Sequence, residues 1–284
     1  MKALRSHVRG GPETLVYEDS PEPPIAAGEA LIRVHAAAIT PTELTWNSTW
    51  TDSNGKDRRP IVPSFEVSGV VERVGDRAAD VRRADPVYGL LNFWRDGAAA
   101  EFVAARAADL APKPRSLDHV RAAAVPLSGL TAWQALFDHA GVAAHVIGTA
   151  SKRNTTFLKE LGADEVVDYS SARFEDVIRG VDAVIDTVGG ETLDRSWGVL
   201  RPGGILVTIA GDAPEAIAAK YSVRGVSMLV QPNRAQLIQI ADLIDAGRVR
   251  PIVDAVYPLP RARDAYERGL LGHTRGKLVL QVVP

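Results

Sequence analysis

Cysteine is absent from all 284 residues. That excludes disulfides, thiolate nucleophiles and every cysteine-ligated zinc site. No apolar run approaches the roughly 20 residues of a membrane span. The opening MKALRSHVRGG lacks an apolar core of signal-peptide length. Thirty-three basic residues against 35 acidic ones leave a net charge of −2, and the cations are scattered, so no stripe for nucleic acid or for a membrane surface is built. The six histidines show no paired ligand spacing, and no serine–histidine or histidine–carboxylate arrangement of recognisable spacing supports a hydrolase. A cytoplasmic protein is expected, with no nucleic-acid or membrane partner. One more thing is missing: no G-x-G-x-x-G occurs anywhere in the chain.

With 46% hydrophobic residues, a chain of this length fills two ordinary cores. Two textures divide it. Residues 1–115 are short, proline-punctuated strands such as EALIRVHAAAI and FEVSGVVERVG, the pattern of a small β-rich, barrel-like domain. Residues 116–254 alternate apolar strands (HVIGTA, EVVDY, DAVIDTVG, GGILVTIAG) with amphipathic helices (NTTFLKELG, TLDRSWGVL, RAQLIQIADLIDAG). That alternation predicts an α/β domain with a parallel sheet covered on both faces. Residues 255–284 return to strand, helix, strand and are expected to pack on the first domain.

The succession KALRSHVRGGPETLVYED, GEALIRVHAAAITPTE, AAAVPLSGLTAWQALFDHAGV, LGADEVVDY, DTVGGETL, LRPGG and GHTRGKLVL resembles the zinc-free quinone oxidoreductases of the medium-chain dehydrogenase/reductase superfamily. The likeness covers nearly the whole chain in the right order. It implies a GroES-like substrate domain joined to a Rossmann-type domain, and hydride transfer from NADPH to a quinone, enone or similar activated carbonyl compound. It also implies a homodimer, for which GGILVTIA and VSMLV could supply an edge strand.

Zinc-dependent relatives hold their metal with a cysteine near the AAIT stretch and with a Gly-His-Glu on a later strand. Here those positions read Ile39-Thr40 and Ser64-Phe65-Glu66, so no metal is expected. Without a Lewis acid, polarising a carbonyl falls to hydrogen-bond donors. The resemblance implies that Thr40, where relatives usually carry an asparagine or similar polar residue, lies beside nicotinamide and substrate as the catalytic hydroxyl; a threonine at a strand end is more often structural. Trp46, Trp50, Phe65, Phe93 and Trp94 concentrate aromatics in the first domain, with Trp46 and Phe93 as the substrate-lining candidates; the same residues could equally be barrel core. Glu43 and Tyr88 are weaker candidates for a proton donor.

Cofactor preference is legible after the second strand. NAD enzymes end it with an acid for the ribose hydroxyls, whereas a 2′-phosphate needs that acid absent and a cation near. GTASKRN offers Thr149, Ser151, Lys152 and Arg153 and no acid, which points to NADPH. The resemblance adds Tyr169 by the adenosine and Thr187, Val188, Ile209 and Ala210 along the ribose. It sets Thr131, Leu229 and Val230 towards the nicotinamide, with Lys277 a looser candidate.

Between DHAGV and HVIGT the relatives have a strand, a glycine-rich turn and a helix, together about 25 residues by typical element lengths. This chain has Ala143 and Ala144. The element whose amides and helix N-terminus would bind the pyrophosphate is missing, and with it the middle strand of the usual 3-2-1-4-5-6 order. Either strand two pairs directly with strand four, or the domain is only partly folded, or the protein contains residues this sequence omits. The clean seam favours the last, with an unfilled slot between the two strands. An active reductase and a non-catalytic binding or scaffold descendant both remain open on the sequence.

Overall fold

The computed structural model describes residues 1–141 and 145–283. Met1–Leu130 and the chain from Gln231 onward form one compact unit, and Thr131–Val230 form a second. The first unit therefore reaches beyond the barrel texture at both junctions. The Asp118-capped helix His119–Ala123 packs Ala123 and Ala124 on Ala36, Ala38 and Val279, where small side chains let helix and sheet approach closely. The helix Arg234–Asp245 buries Leu237, Ile240, Ala241 and Ile244, and Tyr88, on the barrel strand Pro86–Leu90, donates its hydroxyl to the Leu237 carbonyl at 2.6 Å.

The first unit is built on a seven-stranded sheet. In spatial order its strands are Val253–Pro258, Lys277–Gln281, Glu29–Ile39, Glu66–Val74, Pro86–Leu90 and Leu110–Pro112, with Phe102–Arg106 also paired to Glu29–Ile39. The Glu29–Ile39 strand is buried over almost its whole length, which explains why it reads as an apolar run instead of a strict alternation. Two registers matter below: Leu278 lies opposite Ile39, and Glu66 opposite Ala38. Gly276 turns the chain into the last strand with φ 106°. A Cβ there would sit 2.2 Å from the Ile252 carbonyl oxygen, so only glycine sets Lys277 at the head of that strand.

In the second unit all pairings are parallel, and they fall into two pieces. Ile147–Ala150 pairs with Glu165–Asp168, and Val181–Asp186 pairs with Leu200–Thr208, which pairs with Arg224–Ser227. These pieces are strands 3-2 and 4-5-6 of the expected order. Among the described residues no ladder joins strand two to strand four, so the direct re-pairing contemplated from the sequence does not form. Strand two also starts at Ile147, two residues later than His145. The pieces share a core instead: Phe174, Ile178 and Val199 pack with Ile147 and Val167 on one side and with Val181 and Val184 on the other. Next to it, and also meeting Val184, Trp197 packs with Leu193, Leu206 and Ala218. The expected seam at Ala143–Ala144 lies outside the described residues. The chain reaches it through Gly141, a left-handed cap at φ 65° whose N–H donates to the Leu136 carbonyl.

Candidate active site

Three neighbouring strands of the first unit end on one cluster. Thr40 follows Glu29–Ile39, Lys277 opens Lys277–Gln281, and Glu66 opens Glu66–Val74. The Lys277 ammonium forms an ion pair with Glu66 Oε2 and donates to Thr40 Oγ1 at 3.3 Å. Glu66 is 1% exposed, and its other oxygen accepts from the Leu127 N–H at 2.9 Å. Burial raises the Glu66 carboxyl above the ordinary carboxylate range, and the Lys277 charge pulls against that rise.

A second buried acid stands beside them. Glu43 lies in the turn after Thr40, its N–H donating to the Thr40 carbonyl at 2.9 Å. Its Oε1 accepts from the hydroxyl of Tyr266, which is fully buried on the helix Ala262–Leu270. Burial pushes the Glu43 carboxyl up to about 8, against the Tyr266 hydrogen bond and the charge of Lys277 and with the help of Glu66. Tyr88 is excluded as a proton donor: its phenol is buried, its hydrogen is held by the Leu237 carbonyl, and burial lifts its pKa far above the ordinary value.

The five aromatics do not form one lining. Trp46, Phe65 and Phe93 make a single cluster, Phe93 meeting the other two rings edge-on at 5.6 and 5.3 Å. Phe65 and Phe93 are buried, and Trp46 is the half-exposed member. Trp50 is core, its indole N–H donating to the Leu44 carbonyl at 2.8 Å. Trp94 is an exposed side chain lining a separate surface groove of about 470 Å³.

The second unit presents its candidates at the carboxyl ends of its strands. Thr149 is exposed and Ser151 half-buried at the end of strand two, and Lys152 and Arg153 lie exposed in the turn Lys152–Asn154 that follows. Tyr169, Thr187, Val188, Ile209, Ala210 and Leu229 are likewise exposed and Val230 is buried, whereas the half-buried Thr131 lies on the helix Pro126–Trp133 and not at a strand end. Sequence reasoning missed the residue that shapes this edge. Asp186, 3% exposed, accepts from the Val188 and Gly189 N–H groups and from Thr208 Oγ1, and Thr208 Oγ1 accepts in turn from the Ala210 N–H. One buried carboxylate thus fixes the turns that carry Thr187–Val188 and Ile209–Ala210. Gly189 completes the joint at φ 77°, where a Cβ would come within 2.3 Å of the Ala210 carbonyl. An apolar strand closing on Asp followed by a glycine pair was the available signal.

The chain matches the model of the alcohol dehydrogenase GroES-like domain over residues 26–115 and that of the zinc-binding dehydrogenase over 161–280. It is 31% identical to a probable zinc-binding oxidoreductase, mitochondrial, of Arthroderma benhamiae, covering 95% of this chain and 93% of the relative. It is 30% identical to the NADPH-dependent alkenal/one oxidoreductase, chloroplastic, of Arabidopsis thaliana, covering 100% and 80%. The quinone oxidoreductase from Coxiella burnetii superposes with a TM-score of 0.89 at 30% identity, covering 100% of this chain and 99% of that one. The chain belongs to the quinone-oxidoreductase group of the medium-chain dehydrogenase/reductase superfamily. It is an oxidoreductase with a GroES-like and a Rossmann-like domain. The alignment to the A. benhamiae protein runs over 313 positions, more than this chain has residues, so part of that relative has no counterpart here. Neither family model reaches residues 116–160, where the seam lies.

Glu43 supplies a pH test of this site. Its folded pKa of about 8 lies above the unfolded value of about 4.3, so the folded state binds the extra proton. Its stabilising effect is complete below the unfolded pKa and is lost as pH rises towards 8, by up to about 1.4 kcal/mol per pH unit. Glu43→Gln keeps an acceptor for Tyr266 and cannot ionise. The stability difference between variant and wild type, followed by urea unfolding from pH 5 to 8, should therefore rise in favour of the variant; a flat difference would show that Glu43 stays ionised in the fold.

Proposed function

We propose that this oxidoreductase uses NADPH to reduce a quinone, an enone or a similar activated carbonyl compound without zinc. The observation that carries the reading is the Thr40–Lys277–Glu66 cluster: a hydroxyl with a cation behind it at the end of a rigid strand, which is the donor a carbonyl oxygen needs when no metal polarises it. Trp46 offers a flat apolar face on the same turn-bearing edge. The names of the relatives support a carbonyl or quinone substrate.

The second unit's residues fit a nicotinamide dinucleotide in part. Lys152 and Arg153 suit a 2′-phosphate, and the strand-end turns braced by Asp186 suit ribose and nicotinamide. The glycine loop for the pyrophosphate has no counterpart among the described residues. When bound, the nicotinamide supplies hydride; the chain's own part is to orient the acceptor and to donate to its oxygen. The edge of the Arg224–Ser227 strand, last in its ladder, is where a second copy would pair in a homodimer. No helix among the described residues is long and apolar enough to cross a membrane.

Two measurements on purified protein test this. NADPH consumption with a benzoquinone or a conjugated enone should be faster than with NADH, and an intact mass about 2–3 kDa above 30.4 kDa, the weight of some 25 residues, would restore the pyrophosphate element. A mass of 30.4 kDa with no turnover and no dinucleotide binding would instead establish a binding or scaffold descendant.

A further inference from the structure

Lys277 is held at the head of the last strand of the barrel sheet. Its ammonium lies between two acceptors that belong to adjacent strands. Glu66 opposes Ala38 and Leu278 opposes Ile39, so the register of the sheet sets Glu66 and Lys277 on either side of the strand end that carries Thr40. Glu66 is 1% exposed, and the Lys277 side chain 15%. An ammonium pinned in this way on a buried carboxylate cannot swing out as a surface lysine does. Gly276 holds the backbone that feeds it, since any side chain there would collide with the Ile252 carbonyl.

The direction of the Thr40 contact decides what the cluster does. An ammonium can only donate, so Thr40 Oγ1 is the acceptor in its 3.3 Å contact with Lys277 Nζ. Among the described residues no other hydrogen bond of that hydroxyl is recorded, and Thr40 is half-buried. Its hydrogen is therefore available to an outside acceptor, and an adjacent positive charge strengthens the donor.

The geometry points to Lys277 as a positioning residue that makes Thr40 a cation-backed donor to the oxygen on which negative charge develops, the enolate or quinol oxygen of an aromatic or conjugated carbonyl substrate. Glu66 acts one step further back by fixing Lys277. The cluster thus recognises an anionic or developing anionic oxygen by charge and hydrogen bond together, and it favours a ligand that carries one over a neutral ligand that does not. This inference rests on Thr40 being the group that meets the substrate oxygen.

Binding of 4-nitrophenolate to the full chain, compared with nitrobenzene as its uncharged counterpart, tests the inference without cofactor or turnover. Wild type should prefer the phenolate and shift its absorption band. Thr40→Val should weaken phenolate about tenfold or more and leave nitrobenzene within about twofold, the loss expected for one charge-assisted hydrogen bond. Thr40→Ser should retain wild-type affinity. Since Lys277→Met alone leaves the buried Glu66 carboxylate without its partner, the informative variant is Lys277→Met with Glu66→Gln, which removes both charges together. It keeps the Thr40 hydroxyl and should still lose phenolate selectivity about tenfold. Wild-type phenolate affinity in that double variant, equal loss of both probes, or a wild type without preference would each overturn the inference. Selective phenolate binding without any NADPH-dependent turnover would uphold it and remove the reductase reading, whereas turnover without phenolate preference would do the reverse.

Discussion

Lys277→Met is expected to destabilise the protein by about 3–5 kcal/mol, the cost of leaving a buried carboxylate without its partner. Glu66 is 1% exposed, and among the described residues its partners are Lys277 on one oxygen and the Leu127 N–H on the other. The variant therefore either buries a bare charge or takes up a proton to neutralise it. A stability of about 5–15 kcal/mol is ordinary for a domain, so the loss should appear as a large shift of the urea midpoint. Adding Glu66→Gln should recover most of it, because an amide oxygen still accepts from Leu127 and no charge is left behind. A change under about 1 kcal/mol in the single variant would mean that the pair is far better solvated than its burial indicates. The recovery in the double variant separates the loss of an ion pair from the loss of the lysine's packing.

Lys152→Ala combined with Arg153→Ala should weaken NADPH by about 100-fold or more while changing NADH by less than about threefold. Each charged hydrogen bond to a 2′-phosphate contributes about 1.5–3 kcal/mol, and NADH has no such group. Both residues lie exposed in the turn after strand two, where the phosphate would meet them. The turn also carries the half-buried Ser151, whose hydroxyl should leave a residual preference for NADPH. Dissociation constants for the two nucleotides, measured by cofactor fluorescence, decide the matter: equal losses would show that the pair is a solvated basic turn and no clamp.

The fold was largely readable from periodicity. Apolar alternation is a local property, and the change from short strands to strand–helix repeats marks the change from barrel to parallel sheet wherever the helices pack. The split of that sheet into a 3-2 piece and a 4-5-6 piece is the physical counterpart of a segment that can be seen to be missing by reading along the chain. Helix partnership was less legible. His119–Ala123 and Arg234–Asp245 have the amphipathic faces of second-domain helices, yet they pack on the barrel unit, because a hydrophobic face does not specify which sheet it covers.

The site was readable only where its chemistry depends on residue type. The lack of cysteine by itself removes any cysteine ligand, and TASKR carries no acid, since ligand atoms and charges belong to side chains whatever the fold. Tertiary structure alone decided how those side chains combine. Lys277 reaches Thr40 across 237 positions of sequence and Glu43 meets Tyr266 across 223; Tyr88 spends its hydroxyl on a helix carbonyl 149 positions away. Trp50 and Trp94, close to Trp46 and Phe93 in the chain, point to the core and to a separate groove. Such pairings are set by strand register and helix docking, which bring together residues with no local pattern in common. Local sequence fixes the period of an element and the chemistry it can offer, and only the packed sheet fixes which charge stands behind which hydroxyl.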